Sequence, residues 1–181
     1  MVRLLLLSLF LGGVLSHSCK HENLMLKPKI TGHLKIEGEE RTLQDWRNIR
    51  IIVDYSNLNK DFSKTDDYSL MVQYVLMNQI VDLIQKNMKV NGQTTITGLD
   101  SDSCNGYVTI PTNATEPIDA DLIVFVKGEN SPDEGYVAQA TACTISEDTG
   151  RPTSGIIIFN FAKLETIPQN LERNFRIALH E

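Results

Sequence analysis

"DADLIVFVKG", Asp119 to Gly128, places five apolar residues in a row, Leu122 to Val126, rich in β-branched and aromatic types. Such a run between acidic residues and a glycine reads as a strand. Downstream, "GYVAQATACTI" (Gly135 to Ile145) alternates more loosely, and "SGIIIFNF" (Ser154 to Phe161) is a second β-rich run behind the turn residues of "EDTGRPTSG". Upstream, "TTITGL" (Thr94 to Leu99) and "GYVTIP" (Gly106 to Pro111) carry further strand signals, and "NIRIIVDYS" (Asn48 to Ser56) suits a buried strand.

Between the first and second of these signals lies a helical pattern. Val72, Val75, Leu76, Ile80, Leu83, Ile84 and Met88 recur at spacings of three and four, so they form one stripe on a helix expected over Asp67 to Lys89. Thr65, Asp66 and Asp67 offer N-caps, and Asn91-Gly92 offers a left-handed stop. A last helix is expected in "IPQNLERNFRIALHE", where Leu171, Phe175 and Ala178 share a face and Pro168 falls in a first turn that tolerates it. Strand, long helix, several strands and a closing helix make a mixed α/β layout.

The chain has 181 residues, 41% of them hydrophobic, enough for one core of ordinary size. A net charge of -6 and the lack of any long Lys/Arg cluster argue against nucleic acid as a partner. At the N-terminus Arg3 precedes an apolar run from Leu4 to Leu15, with small residues at Val14 and Ser16, the layout of a signal peptide cut before His17. That run is shorter than the roughly 20 residues a bilayer span needs. The expected organisation is a signal peptide over 1–16, a polar pro-segment over 17–47 and an ordered domain over 48–181, in a secreted or cell-surface protein. Trp46, Phe125 and Phe159 are expected to pack in the core or at its edge.

Export places Cys19, Cys104 and Cys143 in an oxidising compartment. A bridge between the two later cysteines would stabilise by roughly 3 to 4.5 kcal/mol in the chain-entropy model, leaving Cys19 over. Asn113, in "NAT", is an N-glycosylation acceptor, and Pro117 beyond it marks a surface loop.

The chain closes on His180-Glu181. In an H-E-x-x-H helix, imidazoles four apart share one face and grip a zinc ion while the glutamate serves as general base. His180 fits the first ligand and Glu181 the base. The dipeptide alone decides nothing, because His21-Glu22 is a second copy with Met25 where the second histidine would fall.

The surrounding residues carry more. "SCNGYVTIP", "DADLIVFVKG", "GYVAQATACTISEDTGRPTSGIIIFN" and a helix running into "LHE" together resemble the catalytic domain of the leishmanolysin family of zinc metallopeptidases. "NIRIIVDYS" is similar to the start of that family's mature domain, and "HSCKHE" to a cysteine-and-histidine segment of its precursors. The resemblance runs from about Cys19 to Glu181 and is weakest over Leu24 to Asp45. It implies a metzincin-like fold with a twisted mixed sheet, whose antiparallel edge strand, expected over Tyr136 to Thr144, binds extended protein or peptide substrates by strand addition. It also implies a Cys104–Cys143 disulfide, Zn²⁺ as cofactor, His180 as a metal ligand and Glu181 as catalytic acid/base.

A complete family member would continue to a second and a third histidine and a methionine turn, and often to a C-terminal membrane attachment. The expectation for the polypeptide as given is a truncated and inactive metalloendopeptidase, because catalytic zinc ordinarily takes three protein ligands. Cys19 keeps two readings: a latency thiol filling the fourth zinc position, or half of a disulfide with a cysteine outside the chain. His21 and His33 read as solvated leader residues. The alternative to an enzyme is a secreted, non-catalytic glycoprotein using the scaffold for binding or cell adhesion.

Overall fold

The computed structural model describes residues 29–30, 46–58, 66–92, 94–110, 117–164 and 170–181. The expected signal peptide, Cys19, His21, His33 and the Asn113 sequon lie outside them. Strands β1 (Lys29–Ile30), β3 (Ile51–Asn57), β5 (Leu122–Glu129), β6 (Ala138–Ile145) and β7 (Pro152–Asn160) form a five-stranded sheet in the order β1-β6-β7-β5-β3. β3, β5 and β7 run parallel, β6 is antiparallel to β7, and β1 pairs parallel with the far end of β6. Strands β2 (Trp46–Asn48) and β4 (Lys89–Asn91) make a separate antiparallel pair. The architecture is the mixed α/β one expected.

Alternation explains why β5 and β7 are apolar without interruption. Successive side chains point to opposite faces, so a strand covered on both sides needs an apolar residue at every position. Ile123 and Phe125 of β5 and Ile156 and Ile158 of β7 enter one buried cluster. Val126 of β5 and Ile157 and Phe159 of β7 enter another on the opposite face, where the helices lie. Phe125 and Phe159 are fully buried. Trp46 departs from expectation, standing 53% exposed on β2, which belongs to the small second sheet and not to the main one.

The long helix comprises α1 (Asp66–Leu70), a π-helical stretch Met71–Met77 and α2 (Asn78–Asn87). A π stretch holds more residues per turn than an α-helix, so it rotates the face that follows. Met71, Val72, Leu76, Met77 and Ile80 are buried against the sheet, whereas Leu83 and Met88, both on the expected stripe, are exposed. Met88 has left the helix for extended backbone, and its amide donates to the Ile84 carbonyl. Asn91 ends β4, and Gly92 just beyond it takes a φ of 78°, so this pair stops a strand and not the helix.

Two expected strands do not form. Ile96 makes only an isolated bridge to Ile118, and 101–108 is a series of turns. Gly98, Asn105 and Gly106 hold φ at 76°, 50° and 74°, a left-handed backbone that no strand accommodates. The apolar residues still do what strands would do: Ile96, Leu99, Val108 and Ile110 cover the second face of the sheet. A Cys104–Cys143 disulfide across 39 residues pins this irregular layer to β6. Gly128 marks a close approach, since a Cβ there would lie 2.4 Å from the Phe161 ring and 2.9 Å from the Leu58 carbonyl oxygen.

Asp121 anchors the entry to the sheet. Its carboxylate is buried and accepts from Arg47 Nη1 and Nη2 at 2.6 and 2.7 Å, from the Arg50 amide at 2.8 Å, and from the Thr94 hydroxyl. Its own amide donates to the Arg50 carbonyl at 2.9 Å. The β2–β3 turn, the irregular layer and the start of β5 thus meet at one charge. Burial alone would raise the carboxyl's pKa, but the hydrogen bonds from Arg47, Thr94 and the Arg50 amide outweigh it and hold the pKa at about 2.

Replacing both Cys104 and Cys143 with serine should lower unfolding free energy by up to about 4 kcal/mol, read from urea midpoints. The depressed pKa of Asp121 makes its contribution complete above its ordinary value of 3.8 and lost as pH falls through 2. About 2 kcal/mol of stability should therefore disappear across that window, and Asp121→Asn should flatten this part of the stability profile in acid titrations followed by circular dichroism.

Candidate active site

Helix α3 (Leu171–His180) is set by its apolar face. Ile177 and Ala178 are buried in the helix-side cluster, with Leu171 and Phe175 packed against it, while Glu172, Arg173 and Arg176 face solvent. An exposed Arg176–Glu172 pair at 2.5 Å, one turn apart, contributes little more than helix support. The Glu181 amide still donates to the Ile177 carbonyl at 3.1 Å, so the helical path reaches the final residue.

The direction of α3 brings its last turn to β6. The alternation of the β6–β7 ladder shows which backbone groups meet it. Asn160 N donates to the Val137 carbonyl, and moving two residues at a time assigns Gln139 and Thr141 to the β7 side. Ala138 and Ala140 then turn their N–H groups away from β7, toward the side of β6 on which β1 pairs further along. Glu181 Oε2 accepts from Ala140 N at 3.2 Å. The carboxylate therefore sits on the edge itself, and His180 beside it is exposed at the helix end.

What starts β6 in this position is a residue that the sequence reading passed over. Asn160, fully buried at the end of β7, donates through Nδ2 to the carbonyls of Ser131 at 2.8 Å and Tyr136 at 3.2 Å. Its Oδ1 accepts from the amides of Ser131 at 3.0 Å and Ala162 at 3.2 Å. One side chain thus binds both ends of the loop that returns the chain from β5 to β6. The available signal was a lone amide closing an otherwise apolar strand, "GIIIFN", since buried amides persist only when their hydrogen bonds are filled.

A cavity of about 420 Å³, lined in part by Tyr107, Glu129, Glu134, Tyr136 and Gln139, adjoins Ile158, which belongs to the disulfide-side cluster. His180 and Glu181 do not line it. Of the residues singled out from sequence, the structure sets Glu181 against β6, leaves His180 exposed beside it at the helix end and joins Cys104 to Cys143.

The structure is thus a mixed α/β sheet in which the outer side of β6 meets a histidine–glutamate helix end. The chain belongs to the leishmanolysin family, whose profile matches residues 59–181, more than half of its length. That is a family of zinc metallopeptidases, so its members' substrates are proteins or peptides. No curated protein matches the chain.

The zinc that the family implies can be tested against the donors present. Among the described residues, no three His, Cys, Asp or Glu side chains come together in a way that could hold a metal. His180 alone is one of the three protein ligands that catalytic zinc ordinarily takes, so the described donor set falls short of a complete site. Nor, among the described residues, is any helix long and apolar enough to cross a membrane.

Asn160→Ala should cost about 2 to 4 kcal/mol, because it strands buried donors and acceptors in the 131–136 loop. Amide exchange at Gln139 and Thr141, whose N–H groups face β7, should accelerate more than at Val124 in the sheet interior, which hydrogen-exchange mass spectrometry would resolve.

Proposed function

We propose that this protein is an exported zinc-dependent metalloendopeptidase that aligns extended polypeptide along the outer edge of β6. His180 serves as a zinc ligand and Glu181 as the catalytic acid/base. The observation that carries this reading is the 3.2 Å contact between Glu181 Oε2 and the outward-facing Ala140 amide. It puts a carboxylate within reach of a peptide carbonyl lying on that edge.

Strand addition gives affinity through main-chain hydrogen bonds, which every peptide offers, and leaves selectivity to the side chains on either face. Glu181, held by the Ile177 carbonyl through its amide and by Ala140 through its side chain, is oriented to accept a proton from an attacking water and return it to the leaving amine. Zinc, when bound, supplies Lewis acidity. The apolar run Leu4 to Leu15, the sequon at Asn113 and the Cys104–Cys143 bridge all support an exported protein. Because the described residues offer His180 as one of the three protein ligands that catalytic zinc ordinarily takes, the reading for the polypeptide 1–181 by itself is weak zinc binding and no peptidase activity.

Purified 1–181 supplied with zinc should leave casein uncut; hydrolysis by this chain that Glu181→Gln abolishes would overturn the inactivity. The enzymatic reading predicts that the coding sequence continues in frame to a histidine four positions beyond His180. A stop codon directly after Glu181 in the full transcript would remove it.

A further inference from the structure

The cavity of about 420 Å³ lies on the sheet face opposite α3. Gln139 stands across the β6–β7 ladder from Ile158, which belongs to the disulfide-side cluster, whereas Ile177 and Ala178 of α3 belong to the other. Glu129 extends from the same face as Gln139, since it follows Ile123 and Phe125 at even spacing along β5. The sheet itself therefore separates this cavity from His180 and Glu181.

Two of the lining side chains are buried and polar. Tyr136 is 5% exposed and Gln139 9%, yet among the described residues no hydrogen bond reaches the Tyr136 hydroxyl or the Gln139 side-chain amide. Neither group is among the fully occluded polar atoms, so the space open to it is the cavity it lines. Buried amides and hydroxyls ordinarily have their hydrogen bonds filled, and here a ligand can fill them. Glu129 accepts from Ser131 Oγ at 3.2 Å through one carboxylate oxygen, and exposed Glu134 adds a second carboxylate at the rim. Among the described residues no lysine, arginine or histidine lines the cavity; Lys127 shares this face of β5 without reaching it.

Oxygen acceptors, two negative charges and the rings of Tyr107 and Tyr136 above an apolar floor at Ile158 suit a planar cation rich in donors. A guanidinium carries five N–H groups and no acceptor, meets carboxylates in pairs and stacks on aromatic faces. A metal ion fits less well, because no three His, Cys, Asp or Glu side chains converge among the described residues and the rings and Ile158 would go unused. The rim is set before a ligand arrives. Asn160 accepts from the Ser131 amide at 3.0 Å and donates to the Tyr136 carbonyl at 3.2 Å. The Tyr107 amide donates to the Cys104 carbonyl at 3.0 Å, and the disulfide ties that turn to β6. Groups fixed in this way lose little freedom on binding.

We propose that this cavity binds a guanidinium group, carried by an arginine side chain of a polypeptide or by a small free molecule. Glu129 and Glu134 balance its charge, the Gln139 carbonyl and Tyr136 hydroxyl oxygens accept its remaining N–H groups, and the tyrosine rings cover its faces. The site uses neither zinc nor any step of peptide hydrolysis, so it stands or falls apart from the peptidase reading.

The test titrates the full chain with methylguanidine and with a capped pentapeptide of alanines around one arginine, followed by calorimetry. Saturable binding of both is the result expected for an arginine side chain, and binding of methylguanidine alone assigns the site to a free molecule. The pentapeptide with citrulline in place of arginine keeps the shape without the charge and should not match the arginine peptide. Glu129→Gln should weaken whichever probe binds by about tenfold or more. Gln139→Leu should weaken it too while leaving the urea midpoint unchanged or higher, because the amide it removes has no partner in the fold. Equal binding of the arginine and citrulline peptides would overturn the proposal, as would binding insensitive to Glu129→Gln. So would the lack of saturation by either probe up to about 10 mM, the behaviour of a cavity that holds water only.

Discussion

β7 has to satisfy two neighbours and two faces at once. It pairs parallel with β5 on one side and antiparallel with β6 on the other, and its alternating residues fill both hydrophobic clusters. A strand so placed has no freedom of register, because a slip by one residue would exchange Ile156 and Ile158 with Ile157 and Phe159 between differently shaped layers. Everything that concerns the site follows from it. The antiparallel turn at 146–151 returns β6 only because β7 is central, and the outward amides of Ala138 and Ala140 face the edge only because β7 takes the intervening ones.

Around that strand the two faces are stabilised differently. The helix side uses ordinary packing, with a π-helical stretch that rotates Met71 and Met77 into the core. The opposite side uses turns, where the backbone lacks the regular hydrogen bonding of a strand, and a disulfide and a buried carboxylate take over the task of holding it. Cys104–Cys143 fixes one end of this layer to β6, and Asp121 fixes its Thr94 end to Arg47 and to the Arg50 backbone. Breaking a buried, multiply hydrogen-bonded charge commonly costs more than removing the whole arrangement for an apolar one, so Asp121 specifies geometry as much as stability. The aspartate lies immediately before β5, and its contacts align β3 with β5 at their first residues.

The candidate site is assembled from three parts of the chain that are far apart in sequence: the loop held by Asn160, the edge of β6 and the last turn of α3. Each is ordered by burial of something nearby, and none by a contact made for chemistry. Asn160 satisfies its own amide, Ile177 and Ala178 bury a helix face, and the Glu181 carboxylate finds the one class of donor that an edge strand leaves over. The N-terminal β1 strand uses the same class of donors further along. The outer side of β6 is thus shared by a side chain and an intrachain strand.

The central strands, the mixed α/β class, the closing helix and the His180–Glu181 pair were legible in the sequence, because continuous β-branched runs and a three-to-four spacing are local signals that burial on two faces or one imposes directly. The family match over residues 59–181 spans β5, β6, β7 and the closing helix. The stretches from Thr94 and from Gly106 read as strands because their apolar residues are needed for burial, while the glycines and Asn105 that turn the backbone act over too short a range to show in a periodic pattern. The π stretch, the role of Asn160, the Arg47–Asp121 contact across 74 residues and the meeting of Glu181 with Ala140 were decided only by tertiary structure. Each depends on where a distant backbone presents an unfilled donor or acceptor, and that is a property of the assembled sheet, with no counterpart in the order of residues along the chain.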